Sequence, residues 1–253
     1  MNKPLISLFF LLLFGQVSTA QLTQIPILCY HQIRDWKLKD SQTDKAYIIP
    51  PAIFRAQMKM LADSGYHTIL PNELYAYLIS GKPLPSKPFM LTFDDTNEDQ
   101  YKVARPILIK YHFKAAYFII TDKIGTHKWF MNSLQIKQLS DEGNVIGCHT
   151  LSHGNFKKLT GTAWQTEIAQ PKKTLEQITG KPVDYFAFPY GYWNRAGLPQ
   201  LHQLGFKAAF QLEQPRYPKD PIMTIRRLVA RGYWNPQTLD YNIKHDFGRP
   251  ANK

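Results

Sequence analysis

The chain has 253 residues, 44% of them hydrophobic and 13% aromatic, enough to bury a sizeable core and to exclude a disordered or fibrous chain. Its 31 Lys and Arg against 19 Asp and Glu give a net charge of +12, with no repeat or low-complexity tract that would indicate a solenoid. The basic residues are dispersed rather than striped among base-stacking aromatics, so a nucleic-acid partner is not expected.

At the N-terminus, Lys3 precedes an apolar run from Leu5 to Phe14, and Ser18 and Ala20 follow at the −3 and −1 positions of a signal-peptidase site. This pattern predicts a secretory signal peptide over residues 1–20, cleaved near Ala20. The run falls well short of the roughly 20 apolar residues a membrane span needs, and no Cys after Ala20 could carry a lipid, so no stable membrane anchor is expected. The remaining 21–253 reads as one secreted or periplasmic domain. It keeps 30 basic against 19 acidic residues, a balance suited to anionic envelope polymers or membrane surfaces. Two cysteines, Cys29 and Cys148, make no disulfide framework, and both sit in apolar strand-like runs that favour buried free thiols.

Along the domain, Ile25 to Tyr30 reads as a strand, and Pro51 opens a helix to about Asp63 with Gly65 as its stop. A short strand over Tyr66 to Leu70 leads to a helix from Pro71 to just before Gly81. After a Pro-rich loop comes the strand Phe89 to Phe93. Helices near 99–111 and 133–142 alternate with strands at 115–120 and Val145 to Cys148. Thr162 and Gln165 then form a capping-box start for a helix to about Ile178, which Pro171 should kink or split. A strand over Tyr185 to Phe188, a helix over 195–204, strands over 206–211 and 223–230, and a helix from about Pro236 complete the chain. Strands alternating with helices imply βαβ units in an α/β fold with a mainly parallel sheet, and six to eight units in one domain favour a barrel over an open sheet. Chemistry then belongs on loops just after strand C-termini.

Three polar clusters stand at such places. Asp94 and Asp95 follow the strand Phe89 to Phe93; adjacent carboxylates repel and need a compensating cation or proton, although either could instead cap the next helix. His149 and His153 follow the strand Val145 to Cys148. Imidazoles four residues apart on one helical turn can grip one divalent cation, and an Asp carboxylate would complete a three-ligand, open, catalytic type of site. Phe188-Pro189-Tyr190-Gly191 follows the strand from Tyr185; it reads either as a plain turn or as a fixed loop that aims a backbone N–H, such as that of Tyr190, at an oxyanion.

Together and in this order, Thr92-Phe93-Asp94-Asp95, His149-Thr150-Leu151-Ser152-His153 and Phe188-Pro189-Tyr190-Gly191 resemble the motifs of the polysaccharide deacetylases of carbohydrate esterase family 4, the NodB-homology domain. The resemblance spans at least residues 26–230. It implies a distorted, incomplete (β/α) barrel, with Asp94 as general base and Asp95, His149 and His153 holding a divalent metal, usually Zn2+. The backbone N–H of Tyr190, in a loop shaped by Pro189 and Gly191, would stabilise the oxyanion. Two elements of the best-known family pattern are missing: its Arg two residues before the Pro is Ala187 here, and its late L-x-H motif has no clear match. Tyr30-His31 after the first strand is instead similar to the opening of the poly-N-acetylglucosamine deacetylase branch, which nominates His31 as general acid ahead of His202 and His245. Arg226 or Arg227 could replace the missing Arg beside Asp94, and strand alternation allows only one of them to face it. The Gly that usually follows Asp-Asp is Thr96 here. Among the loop aromatics, Trp129, Phe130, Tyr192, Trp193, Tyr233 and Trp234, Trp193 is the preferred sugar contact. The expected activity is removal of N-acetyl groups from N-acetylglucosamine-containing polysaccharide. The alternatives are an O-acetyl esterase on a polymer such as xylan, or a non-catalytic glycan-binding relative. A glycosidase built on Asp94 and Asp95 is disfavoured, because adjacent carboxylates do not readily flank a scissile bond.

Overall fold

The computed structural model describes residues 24–248; the expected signal peptide lies outside them. Strands and helices alternate as β1 (Ile27–Tyr30), α1 (Gln42–Tyr47), α2 (Pro51–Asp63), β2 (His67–Thr68), α3 (Pro71–Ser80), β3 (Pro88–Asp94), α4 (Arg105–Lys110) and β4 (Ala116–Ile119). They continue as α5 (Ser133–Asp141), β5 (Val145–Cys148), α6 (Gln170–Thr179), β6 (Tyr185–Ala187), α7 (Leu198–Gln203), β7 (Ala208–Phe210), β8 (Leu228–Val229) and α8 (Pro236–Phe247). Every strand pair is parallel, in the order β7-β6-β5-β4-β3-β1-β8, with β2 attached to the start of β3. The curled sheet is a distorted, incomplete (β/α) barrel. Between its two edges, a single parallel bridge joins Phe210 to Ile225.

Strand alternation sorts the core into two shells. Leu28, Tyr30, Leu91, Phe93, Tyr117, Ile146, Cys148 and Phe186 point outward and pack under the helices. Ile27, Met90, Ala116, Phe118, Ala187, Phe210 and Ile225 fill the barrel itself. The interior face therefore continues, one layer further toward the strand C-termini, into Cys29, Asp94 and Arg227. Cys29 and Cys148 are both buried free thiols, on opposite faces of the sheet wall.

Several elements depart from the pattern in the sequence, each for a local reason. The helix expected over 99–111 begins as a π-turn over Gln100–Ala104 and becomes α-helical only at Arg105, because Pro106 has no N–H and its ring would clash with a regular preceding turn. The same happens before Pro171: residues 165–169 are a π-turn and α6 follows, so the proline splits the helix as its position predicts. Residues 221–224 form a 3-10 turn rather than strand, with Pro221 at its start and Thr224 Oγ1 accepting from the Tyr217 N–H at 2.8 Å. Only Leu228–Val229 of that expected strand pairs with β1. Helix α1, not anticipated from the sequence, is set by a Ser41/Asp44 capping box.

Gly147 in β5 faces the barrel interior, where a Cβ would lie 2.5 Å from the Phe118 ring. Gly147→Ala is expected to destabilise the fold by about 1–3 kcal/mol through overpacking, seen as a lower urea midpoint with an unchanged slope.

Candidate active site

The deepest element is an ion pair inside the barrel mouth. Asp94, the last residue of β3, is 2% exposed and Arg227 is fully buried. The guanidinium grips both carboxylate oxygens, Nη1 to Oδ1 at 2.7 Å and Nη2 to Oδ2 at 2.8 Å. Its remaining donors reach Thr92 Oγ1 and the Gln211 carbonyl, each at 3.2 Å, and its plane lies 5.3 Å from the Phe118 ring centroid. Burial alone would raise the Asp94 pKa, but Arg227, followed by His149, overcomes it and holds the carboxyl below the usual range. Alternation decides between the two arginines. Arg227 faces inward, whereas Arg226 turns outward, pairs with Asp246 at 3.4 Å and lies over the Phe247 ring. Arg226 therefore has no part in this cluster.

Beside the pair, Asp95, His149 and His153 bring one ligand atom each to within 4.8 Å of one another. Asp95 Oδ1 is 3.6 Å from His149 Nε2 and 3.4 Å from His153 Nε2, and it is a buried oxygen with no hydrogen-bond partner. His149 Nδ1 meets the Ala187 carbonyl at 2.7 Å, which makes that nitrogen the N–H and leaves the Nε2 lone pair facing Asp95. The residue standing where the resemblance expects an Arg thus serves through its backbone. Burial works against a charged His149, yet Asp94 and Asp95 outweigh it and raise its pKa; burial, then His149, lowers that of His153. A place that draws positive charge toward two carboxylates and offers two imidazole nitrogens and an orphaned oxygen fits a divalent cation with positions left open. Cys29, His31 and Asp94 also bring ligand atoms within 4.8 Å. That set does not suit a cation, because Arg227 already occupies both Asp94 oxygens and burial pushes the Cys29 thiol up, away from the thiolate.

Backbone strain holds these side chains in place. Asp95, Thr96, Thr150, His153 and Tyr190 all have φ between 59° and 77°, a left-handed conformation costly for non-glycine residues. Thr96 compensates with its hydroxyl, which accepts from the Ile120 N–H at 2.8 Å. The His149–His153 loop is clamped by Glu167, a residue sequence reasoning missed. Its carbonyl accepts from the Leu151 N–H at 2.9 Å, and its carboxylate accepts from the Ser152 N–H at 3.1 Å and Oγ–H at 2.8 Å. The available signal was Pro171: lacking an N–H, it leaves the carbonyl four residues earlier, that of Glu167, without its helical donor.

His31, at the end of β1, lies edge-on to Tyr47, with ring centroids 4.9 Å apart, and its Nδ1 is buried without a partner. Gln100 donates to the His31 and Asp94 carbonyls, tying the two strand ends together. The Tyr190 ring is half exposed and lies tilted against that of His153, with centroids 4.4 Å apart. In its turn, Gly191 N–H bonds to the Phe188 carbonyl and Tyr192 N–H to that of Pro189, so neither bond uses the Tyr190 N–H. Pro189 is buried, and a Cβ on Gly191 would meet Leu212 at 2.9 Å, so both shape the turn. Trp193 packs against Tyr217, with centroids 5.8 Å apart, and against the core. His202 pairs with Asp220 and His245 lies beside Asp246, both exposed on helices.

Residues 81–209 match the polysaccharide deacetylase family. The Bacillus subtilis protein YxkH is 30% identical over 207 residues, covering 82% of this chain and 71% of its own. The poly-beta-1,6-N-acetyl-D-glucosamine N-deacetylase of Staphylococcus aureus is 28% identical over 208 residues, 74% of this chain and 71% of that one. Among solved structures, the Streptococcus pyogenes deacetylase PplD, in complex with acetate, superposes with a TM-score of 0.78 at 26% identity, covering 87% of this chain and 98% of its own.

Replacing Arg227 by Met strands the Asp94 carboxylate in the barrel, and a loss of about 3–5 kcal/mol is expected in denaturant unfolding. Glu167→Ala frees the histidine loop, and titration against a competing chelator should give a divalent-cation affinity roughly 10–100-fold weaker than wild type.

Proposed function

The chain belongs to the polysaccharide deacetylase family, and from that premise we propose that it is a metal-dependent hydrolase removing N-acetyl groups from N-acetylglucosamine-containing polysaccharide and releasing acetate. The observation that carries this reading is the placement of Asp95, His149 and His153 around one point beside the buried Asp94–Arg227 pair. A divalent cation held by those three residues, Zn2+ being the usual choice in the family, would supply Lewis acidity to the acetyl carbonyl and to a water molecule.

The chain's own groups divide the remaining work. Asp94 accepts the proton that the attacking water gives up, with Arg227 holding its carboxylate in one orientation. Arg227 keeps that carboxylate ionised, the form in which it can accept a proton. The Tyr190 N–H faces the oxygen on which negative charge develops when the water oxygen bonds to the carbonyl carbon. His31, close to Asp94, donates a proton to the sugar nitrogen as the carbon–nitrogen bond breaks, so that an amine and acetate leave. An N-acetyl rather than O-acetyl substrate is supported by the likeness to the staphylococcal enzyme. Residues 21–253 form the catalytic domain in this reading, and residues 1–20 direct export to the periplasm or the exterior; among the described residues no helix is long and apolar enough to cross a membrane.

Acetate release from N-acetylglucosamine oligomers, stopped by chelation and restored by Zn2+, is the expected result; glycan binding with no acetate released under several metals overturns the reading. His31→Ala should lower kcat by about 10²–10⁴-fold while metal content stays stoichiometric, and loss of metal instead would remove His31 from the acid's role.

A further inference from the structure

Backbone pairing between β1 and β3 stops short of the two residues assigned to proton transfer. The register runs from Ile27–Met90 to Tyr30–Phe93, so His31 and Asp94 stand one step beyond the last pair. A His31 ring nitrogen and an Asp94 oxygen come within 4.8 Å of one another there. At that step a side chain replaces the ladder. Gln100 is fully buried, and its Nε2 amide donates one hydrogen to the His31 carbonyl at 2.9 Å and the other to the Asp94 carbonyl at 2.5 Å. The amide cannot be turned over, since that would set its oxygen against two carbonyl oxygens. Its own main chain is fixed on both sides. The Gln100 N–H donates to the Asn97 carbonyl at 3.2 Å, and the Gln100 carbonyl accepts from the Arg105 N–H across the π-turn that precedes Pro106.

The two strand ends depend on that tie unequally. Arg227 grips both Asp94 oxygens, so the carboxylate keeps its orientation without further help. The His31 ring meets Tyr47 edge-on, and its buried Nδ1 has no hydrogen-bond partner, whereas the His149 ring is oriented through Nδ1 by the Ala187 carbonyl. With no bond at Nδ1 to orient it, the His31 ring takes its place from its main chain, and Gln100 holds that main chain. We propose that Gln100 is a positioning residue for the reaction: by bridging the two carbonyls it sets the separation of His31 from Asp94, and so the reach of the proton donor toward the sugar nitrogen. The roles of acid and base rest on the deacetylase reading; the tie between the strand ends does not. The stake is large, because a reacting group misplaced by about 1 Å costs about 10²-fold in rate.

The test compares Gln100→Leu with wild type in acetate release from N-acetylglucosamine oligomers, with metal content and denaturant unfolding measured alongside. The variant should lose about 10–100-fold in kcat while KM changes less than about twofold and metal stays stoichiometric, the mark of a misplaced reacting group rather than lost binding. If Gln100→Leu does not fold, Gln100→Asn, whose amide is a methylene too short to span both carbonyls, is read by the same criterion. A folded variant with kcat within about twofold of wild type overturns the proposal, as does a fall in kcat that tracks lost metal or is matched by a change in KM. If the wild type releases acetate from no oligomer, the functional reading fails, and NMR of the histidine rings decides the tie separately. A His31 Cε1–H signal that moves or broadens in the variant beyond those of His149 and His153 upholds it, and one that changes no more than theirs overturns it.

Discussion

The contact between Asp94 and Arg227 is the constraint around which the mouth of the barrel is arranged. It joins residues 133 positions apart, from β3 and from the segment beside β8 that lies between the two edges of the sheet. Two charges in a dry interior are costly unless each lone pair and each N–H finds a partner. Here the bidentate grip, Thr92 and the Gln211 carbonyl provide those partners. The pair therefore contributes less to net stability than to order: it fixes one carboxylate orientation and keeps it ionised beside His149 and His153.

Strain accumulates around that fixed point. Among the described residues, seven non-glycine residues have positive φ, and five of them, Asp95, Thr96, Thr150, His153 and Tyr190, lie in the loops of the site. At roughly 1–3 kcal/mol each, these conformations persist only where the surroundings over-determine them. The surroundings do so with specific bonds: Thr96 to Ile120, His149 to Ala187, and Leu151 and Ser152 to Glu167. The π-turn before Pro171 belongs to the same economy, since the proline that interrupts the helix releases the very carbonyl that steadies the histidine loop.

Much of this was legible in the chain. Period-2 and period-3.6 patterns, with Pro at helix starts and Gly at their ends, located α2, α3, α5 and the strands β1, β3, β4 and β5 to within a few residues, because each of these is decided by its own local sequence. The segment over 221–230 and helix α1 were not legible as built. The first is apolar enough for a strand but is bent by Pro221 and by a tertiary hydrogen bond to Thr224. The second is too short for periodicity to register, and only its Ser41/Asp44 cap marks it. Trp193, chosen for nearness in sequence to the Pro-Tyr-Gly turn, lies partly buried beside Tyr217, a contact that adjacency along a loop does not specify.

The amino-acid sequence by itself determined the alternating α/β architecture, the strand-end position of every candidate ligand and the family resemblance, since spacing and residue type survive without coordinates. Tertiary structure decided which of two neighbouring arginines reaches Asp94, which carbonyl sets the His149 tautomer, and that Glu167 clamps the loop. Those outcomes depend on the pleat, curl and closure of a sheet whose partners lie tens of residues apart, and no local pattern encodes the distance across a barrel.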